Sequence, residues 1–292
     1  MCATGFFVSL PFVGNPTQSF AYFVTAKHVA TELAGRDIYF LVNKKGGGVT
    51  IAPHHGDRWF LHPTDATADV AVIPVYNNPD SDITAVHVGN LGVPSLLQQL
   101  EIGIGDEVFA TGLFTPAPGS KRNEPIVRHG NIAMMPLEQI QTELGFADVY
   151  LIEARSIGGL SGCPVFVRPT INMSITDQRP GIKNFFGLGH GATLLGLMHG
   201  HWDIKETEMN KVFISHVGAH GVNLGIGIVV PAYKILEVIN RPELKLMRQE
   251  VTERLTRRNV PGMDSAKPKK QEPQFTEEDF EAALKKASRK KD

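Results

Sequence analysis

The first 230 residues break into short apolar runs of strand length, and this segmentation limits the fold more than any other feature of the chain. The runs are Gly5–Leu10, Phe20–Ala26, Ile38–Val42, Asp69–Val75, Glu107–Thr111, Val149–Ala154, Pro164–Arg168, Thr193–Met198, Val212–Ser215 and Gly225–Val230. They are rich in Val, Ile and Phe, whose branched or flat side chains fit a pleated, half-buried surface, and Gly, Pro, Asn and Asp separate them. Helical period is confined to a turn at His28–Leu33 and a stretch at Leu137–Leu144. Many short strands between turn residues predict an all-β barrel or sandwich. No internal repeat is visible.

Beyond Pro231 the period changes. Ile235, Val238, Ile239, Leu246, Val251 and Leu255 recur every three or four residues among charges, predicting helix over residues 232–258 with Pro242 as a break or a new start. Residues 262–274 read as a polar linker. Residues 275–292 read as a terminal charged helix: Thr276 caps it, acids come first and bases last, matching the helix dipole. Such a helix is either a solvated appendage or a docking element for a protein partner. Charge follows the same boundary, at −5 over residues 1–240 and +4 over 241–292.

The net charge of −1 argues against nucleic acid as a partner. Two cysteines make no disulfide framework, and no zinc-finger spacing is present. The apolar runs fall far short of the roughly 20 residues a membrane span needs, and the first residues lack the basic flank of a leader. A soluble, cytoplasmic protein with no membrane partner is the expectation. Eleven histidines invite a metal reading, but His54–His55, His190, His199, His201, His216 and His220 are scattered without a ligand motif, so no metal and no cofactor is expected. The G-x-G sequences at 103–105, 187–191 and 225–227 lack a following helix of dinucleotide-binding type.

Three segments carry residues suited to chemistry: FVTAKHVA (Phe23–Ala30), DATADVAVI (Asp65–Ile73) and IGGLSGCPVF (Ile157–Phe166). A serine hydroxyl is a weak nucleophile and needs an adjacent base, which in turn needs a buried acceptor to fix its tautomer. His28 follows an apolar strand, Asp69 opens one, and Ser161 sits in a glycine turn that can aim the amides of Gly159 and Ser161 at one spot. Each residue alone is unremarkable; the joint order is what points to chemistry. Asp65 is the nearby rival of Asp69.

FVTAKHVA resembles the TA-x-H-V/C signature of trypsin-like serine peptidases (PA clan, chymotrypsin fold), and GGLSGCPVF resembles their G-x-S-G-G-P signature. DVAVI resembles the aspartate strand between them, and the order His28, Asp69, Ser161 is theirs. LLGLMHG (Leu194–Gly200) resembles the strand lining the substrate cleft, and GIGIVVP (Gly225–Pro231) a late strand of the bacterial HtrA-like members. The resemblance implies a peptidase domain over residues 1–235 built as two six-stranded antiparallel barrels. The first would span about 3–90 and the second about 106–231, with the cleft between. It further implies a serine endopeptidase acting on a protein or peptide substrate through an acyl-enzyme. His28, Asp69 and Ser161 would be catalytic, with the Gly159 and Ser161 amides as the oxyanion hole. Arg155, Ser156, His199, Gly200, His201 and Gly225 would line the substrate pocket, where Arg155 and the histidines would suit an acidic or small side chain.

Two departures matter. Leu160 replaces the aspartate that pairs with a freed N-terminal amine in the digestive members, so activation by that route is not expected. Cys163 replaces the second signature glycine, either as a small packed side chain or as a redox brake on the neighbouring nucleophile. The alternatives to a peptidase are a catalytically silent binding module on the same fold, and an esterase.

Overall fold

The computed structural model describes residues 3–12, 15–55, 58–76, 78–114, 119, 121–154, 160–170, 192–204, 222–259, 278 and 280–283. The Val212–Ser215 run, the linker 262–274, His190, His216 and His220 lie outside them.

Strands β1 (Phe6–Phe12) and β2 (Asn15–Thr25) form an antiparallel hairpin. Strand β2 also pairs with β6 (Ala71–Val75), β6 with β5 (Phe60–Leu61), and β1 runs parallel to β7 (Val86–His87). The resulting five-stranded sheet has the order β5-β6-β2-β1-β7. Strands β3 (Asp37–Asn43) and β4 (Val49–His55) form a separate two-stranded sheet. In the second half, β8 (Glu107–Leu113), β9 (Pro125–Met134), β12 (Tyr150–Glu153), β13 (Pro164–Arg168), β14 (Thr193–Ile204) and β15 (Val222–Pro231) close an antiparallel barrel in the order β12-β15-β14-β13-β8-β9.

Among the described residues one barrel is closed, where two were expected. The first half stays open because β5 and β7 are two residues long, too short to carry a ladder round the sheet. The β3–β4 hairpin is instead held by side chains. Phe40 packs on Phe23 with ring centres 4.5 Å apart. Asn43 exchanges hydrogen bonds with the Asn123 backbone at 2.8 and 3.1 Å. A single bridge joins Lys44 to Ser81.

Two further expectations are corrected. Leu137–Leu144 is not helical; it contributes β10 (Ile140–Thr142) to a hairpin with β11 (Gly145–Ala147). Besides α1 (Lys27–Glu32), a helix α2 (Pro94–Gln99) stands between the halves, opened by Pro94, whose missing N–H costs nothing at a helix start. Six residues are too few to display a helical period.

After the barrel come α3 (Ala232–Ile239) and α4 (Pro242–Asn259), divided at Pro242. Their apolar faces cover the open sheet: Ile235, Val238, Ile239, Leu244, Met247 and Val251 share a core with Val8, Tyr22, Val24 and Val72. Arg248 crosses the seam to donate to the Tyr22 hydroxyl at 2.7 Å. The barrel holds its own core of Val108, Ile132, Ile152, Val165, Leu195 and Val229. Among the described residues no helix is long and apolar enough to cross a membrane.

Candidate active site

Strand pairing brings the first two candidate residues together. Thr25, the last residue of β2, lies opposite Ala71, the first of β6. The chain leaving β2 enters α1 with His28 as its second residue, while Asp69 stands two residues before β6. Asp69 Oδ1 accepts the His28 backbone N–H at 2.8 Å, and Oδ2 lies 2.8 Å from His28 Nδ1. Its carboxylate is almost wholly buried, whereas 35% of the His28 side chain is exposed.

Asp65 has different work. Its Oδ1 accepts the N–H groups of Thr67 and Ala68 and the Thr67 hydroxyl, at 2.7 to 3.2 Å. Its Oδ2 takes Lys234 Nζ from α3 at 2.7 Å, with Asp148 3.5 Å from the same ammonium. Asp65 thus folds the turn that delivers Asp69 and ties it to the C-terminal helices.

Ser161 lies in a turn closed by the Cys163 N–H on Leu160 O at 2.9 Å. The turn is fixed to β14 by Gly162 N–H on Met198 O at 2.7 Å and Met198 N–H on Cys163 O at 2.9 Å. Gly162 has φ +82°, and a Cβ there would stand 2.4 Å from both Thr25 Oγ1 and Thr4 O. Only glycine lets this turn press against Thr25 and Ala26, the residues just before Lys27 and His28. The backbone of the Ser161 turn therefore abuts the end of β2. Among the described residues no hydrogen bond joins Ser161 to His28.

His199 occupies a place that sequence reasoning did not give it. Met198 lies opposite Val229 and Gly200 opposite Ile228, so His199 is the extra residue of a β-bulge in β14. The bulge brings its ring onto Asp69, with Nδ1 2.5 Å from Oδ2. The two imidazoles meet edge to face, 5.4 Å between centres at 86°. Nothing in the residue pattern marks a bulge in LLGLMHG, so this role was not legible. Gly200 and His201 lie opposite Ile228 and Gly227 of β15, while Gly225 accepts the Ala154 N–H through its carbonyl at 2.8 Å. Arg155, Ser156 and Gly159 lie outside the described residues.

The charges follow from these contacts. Burial pushes the Asp69 carboxyl up, but hydrogen bonds and charge from His199 and His28 outweigh it, holding Asp69 well below the usual carboxylate range. The hydrogen bond to Asp69 raises His28 above its ordinary value against an opposing effect of burial, and Glu32 and Glu143 add to the rise. Burial pushes the Cys163 thiol up to about 12. A neutral thiol packed in the barrel core is inert, which favours the packing role over the redox brake.

Asp69, His28 and His199 also bring a carboxylate oxygen and two ring nitrogens within 4.8 Å of one another, a set able to hold a metal ion that the scattered spacing of the histidines did not reveal.

No protein-family model and no curated protein matches the chain by sequence. Among solved structures, the MamO protease domain of Magnetospirillum magneticum is similar at 15% identity and TM-score 0.42, covering 79% of this chain and 93% of that one. The inactive form of Rv3671c from M. tuberculosis is similar at 15% and 0.39, covering 82% and 83%. A glutamic acid specific serine protease that uses a histidine triad in substrate binding is similar at 16% and 0.39, covering 80% and 89%. Likeness of this size transfers no residue role and no substrate.

Proposed function

We propose that the chain is a serine endopeptidase on a chymotrypsin-like scaffold, with Ser161 as nucleophile, His28 as general base and acid, and Asp69 as the group that orients His28. One observation carries the reading: a buried carboxylate grips both the backbone N–H and the Nδ1 of one partly exposed histidine. An ionised carboxylate only accepts, so Nδ1 carries the ring proton and Nε2 is left with a lone pair. A histidine fixed in that tautomer is prepared to take a hydroxyl proton.

The Ser161 hydroxyl gives its proton to His28 Nε2 as its oxygen attacks a peptide carbonyl carbon. The amides of Gly159 and Ser161 receive the developing oxyanion. His28 returns the proton to the leaving amine, and the acyl group stays on Ser161. Water, deprotonated by the same Nε2, releases the acid and restores the hydroxyl. Asp69 stays ionised throughout and stabilises the imidazolium. Arg155, Ser156, Gly200, His201 and Gly225 are assigned to the substrate pocket, with an acidic or small side chain as the preferred occupant.

The test is intact-mass labelling with a fluorophosphonate probe between about pH 5 and 9. Labelling of wild type and not of Ser161→Ala, rising as a histidine deprotonates, is the expected result. The second reading is a silent binding module on the same fold. A folded wild type that resists the probe at every pH would leave a binding module or a site that a partner must complete.

A further inference from the structure

We propose that His28 Nδ1, His199 Nδ1 and Asp69 Oδ2 form a reversible site for a divalent first-row transition ion, zinc foremost, whose binding switches the dyad off. The three groups arrive from separate elements: α1, the segment before β6, and the bulge of β14. Two imidazole nitrogens with one carboxylate oxygen suit zinc and its neighbours, not the all-oxygen shells of magnesium or calcium. The orientation of the set is already held. His28 donates its backbone N–H to Asp69 Oδ1, which leaves Oδ2 as the single oxygen both rings face. Glu32 and Glu143 add negative potential around His28.

The nitrogens lie 2.8 and 2.5 Å from Oδ2, closer than the roughly 3.3 Å between neighbouring ligand atoms around a tetrahedral zinc. Admitting the ion therefore needs the rings to draw back by several tenths of an ångström. With a third of its side chain facing solvent, His28 is the ring that this proposal takes to move. A water or a substrate atom would complete the shell.

The proton accounting shows why such an ion would act as a switch. Without metal, each neutral ring carries its proton on Nδ1 and donates it to Oδ2. A metal takes the Nδ1 lone pair, so that proton leaves to solvent and Nε2 takes one up, with no net release from a neutral ring. On His28, Nε2 is the atom that must accept the Ser161 proton. The ion thus turns a base into a donor. Binding itself rests only on the three ligands; the inhibitory consequence rests on the peptidase reading above.

The full chain is titrated with zinc chloride by calorimetry and with cobalt(II) by visible absorption. Wild type is compared with His28→Asn and His199→Asn, and with His129→Asn as a control for a surface imidazole on β9. The expected result is one ion per wild-type chain, with a tetrahedral cobalt spectrum. Each ligand variant should weaken binding by at least about 100-fold while the control stays unchanged. No binding by wild type, or equal affinity in both ligand variants with their circular dichroism intact, would overturn the proposal. Fluorophosphonate labelling run alongside separates the two readings. Labelling that zinc suppresses and a chelator restores supports both. Labelling with no zinc site removes this proposal alone, and a zinc site without labelling removes the peptidase reading and the switch with it, leaving the ion site.

Discussion

Asp69 holds three N–H donors on one buried carboxylate, and the protonation of the site follows from that arrangement. The base His28 acts only when neutral. Because Asp69 raises its pKa, the labelling rate of Ser161 should climb with pH through a value above the roughly 6.5 of a free imidazole. Asp69→Asn removes the charge and permits the wrong tautomer. It should cut the rate by about four orders of magnitude and move the acid limb to lower pH, both read from one set of labelling rates. Gly162→Ala tests the neighbouring turn. A Cβ at φ +82° and 2.4 Å from a backbone oxygen must displace the turn from Thr25 and Thr4. We expect loss of labelling and about 2 to 4 kcal/mol of stability, measured by urea unfolding. At this scale the contact of His28 with Asp69 was legible because each stands in a short motif beside an apolar strand. The contact of His199 with Asp69 was not, since one extra residue in β14 decides where that ring points.

At the scale of elements, the turn before Asp69 is governed from 169 residues away, by Lys234 on α3. Lys234 is 8% exposed and spans Asp65 and Asp148, so replacing it leaves two carboxylates facing each other without a cation. Lys234→Met should cost about 2 kcal/mol in urea unfolding, and it should slow Ser161 labelling by loosening the Asp69 turn. The pH dependence has a definite sign. Burial works against the Asp65 carboxylate, yet Lys234 and Thr67 hold it well below the usual range. A depressed carboxyl stabilises fully above the unfolded value of about 3.9 and loses that contribution as pH falls below it. Acid unfolding of Lys234→Met should consequently be shallower than that of wild type below about pH 4. Strands with continuous apolar runs were read directly from sequence. Strands β4 and β9 were missed because neither holds a continuous apolar run: Pro53, His54 and His55 end β4, and Arg128, His129, Gly130 and Asn131 interrupt β9.

For the molecule as a whole, the open first half needs a cover, and the C-terminal region supplies it. Phe280 and Ala283 are buried in the same core as the sheet, α3 and α4, and Glu281 pairs with Arg58 at 3.1 Å. A terminal segment available for a partner was one expectation from its charge pattern. Among the described residues of that segment, Phe280 and Ala283 face the chain's own core, a place that the charge-rich sequence concealed. This arrangement makes the C-terminal region part of the fold that holds β2 and β6 side by side, and through them His28 and Asp69. Phe280→Ala removes a large ring from that core and should cost about 3 kcal/mol, read as a lower urea midpoint with an unchanged slope. Phe280 belongs to the core under the sheet and has no part in the proposed chemistry, so the labelling rate of the still-folded variant should match wild type. A large fall in labelling at full folding would mean that the segment also shapes the cleft. No loss of stability would mean that the cover is supplied by α3 and α4 alone.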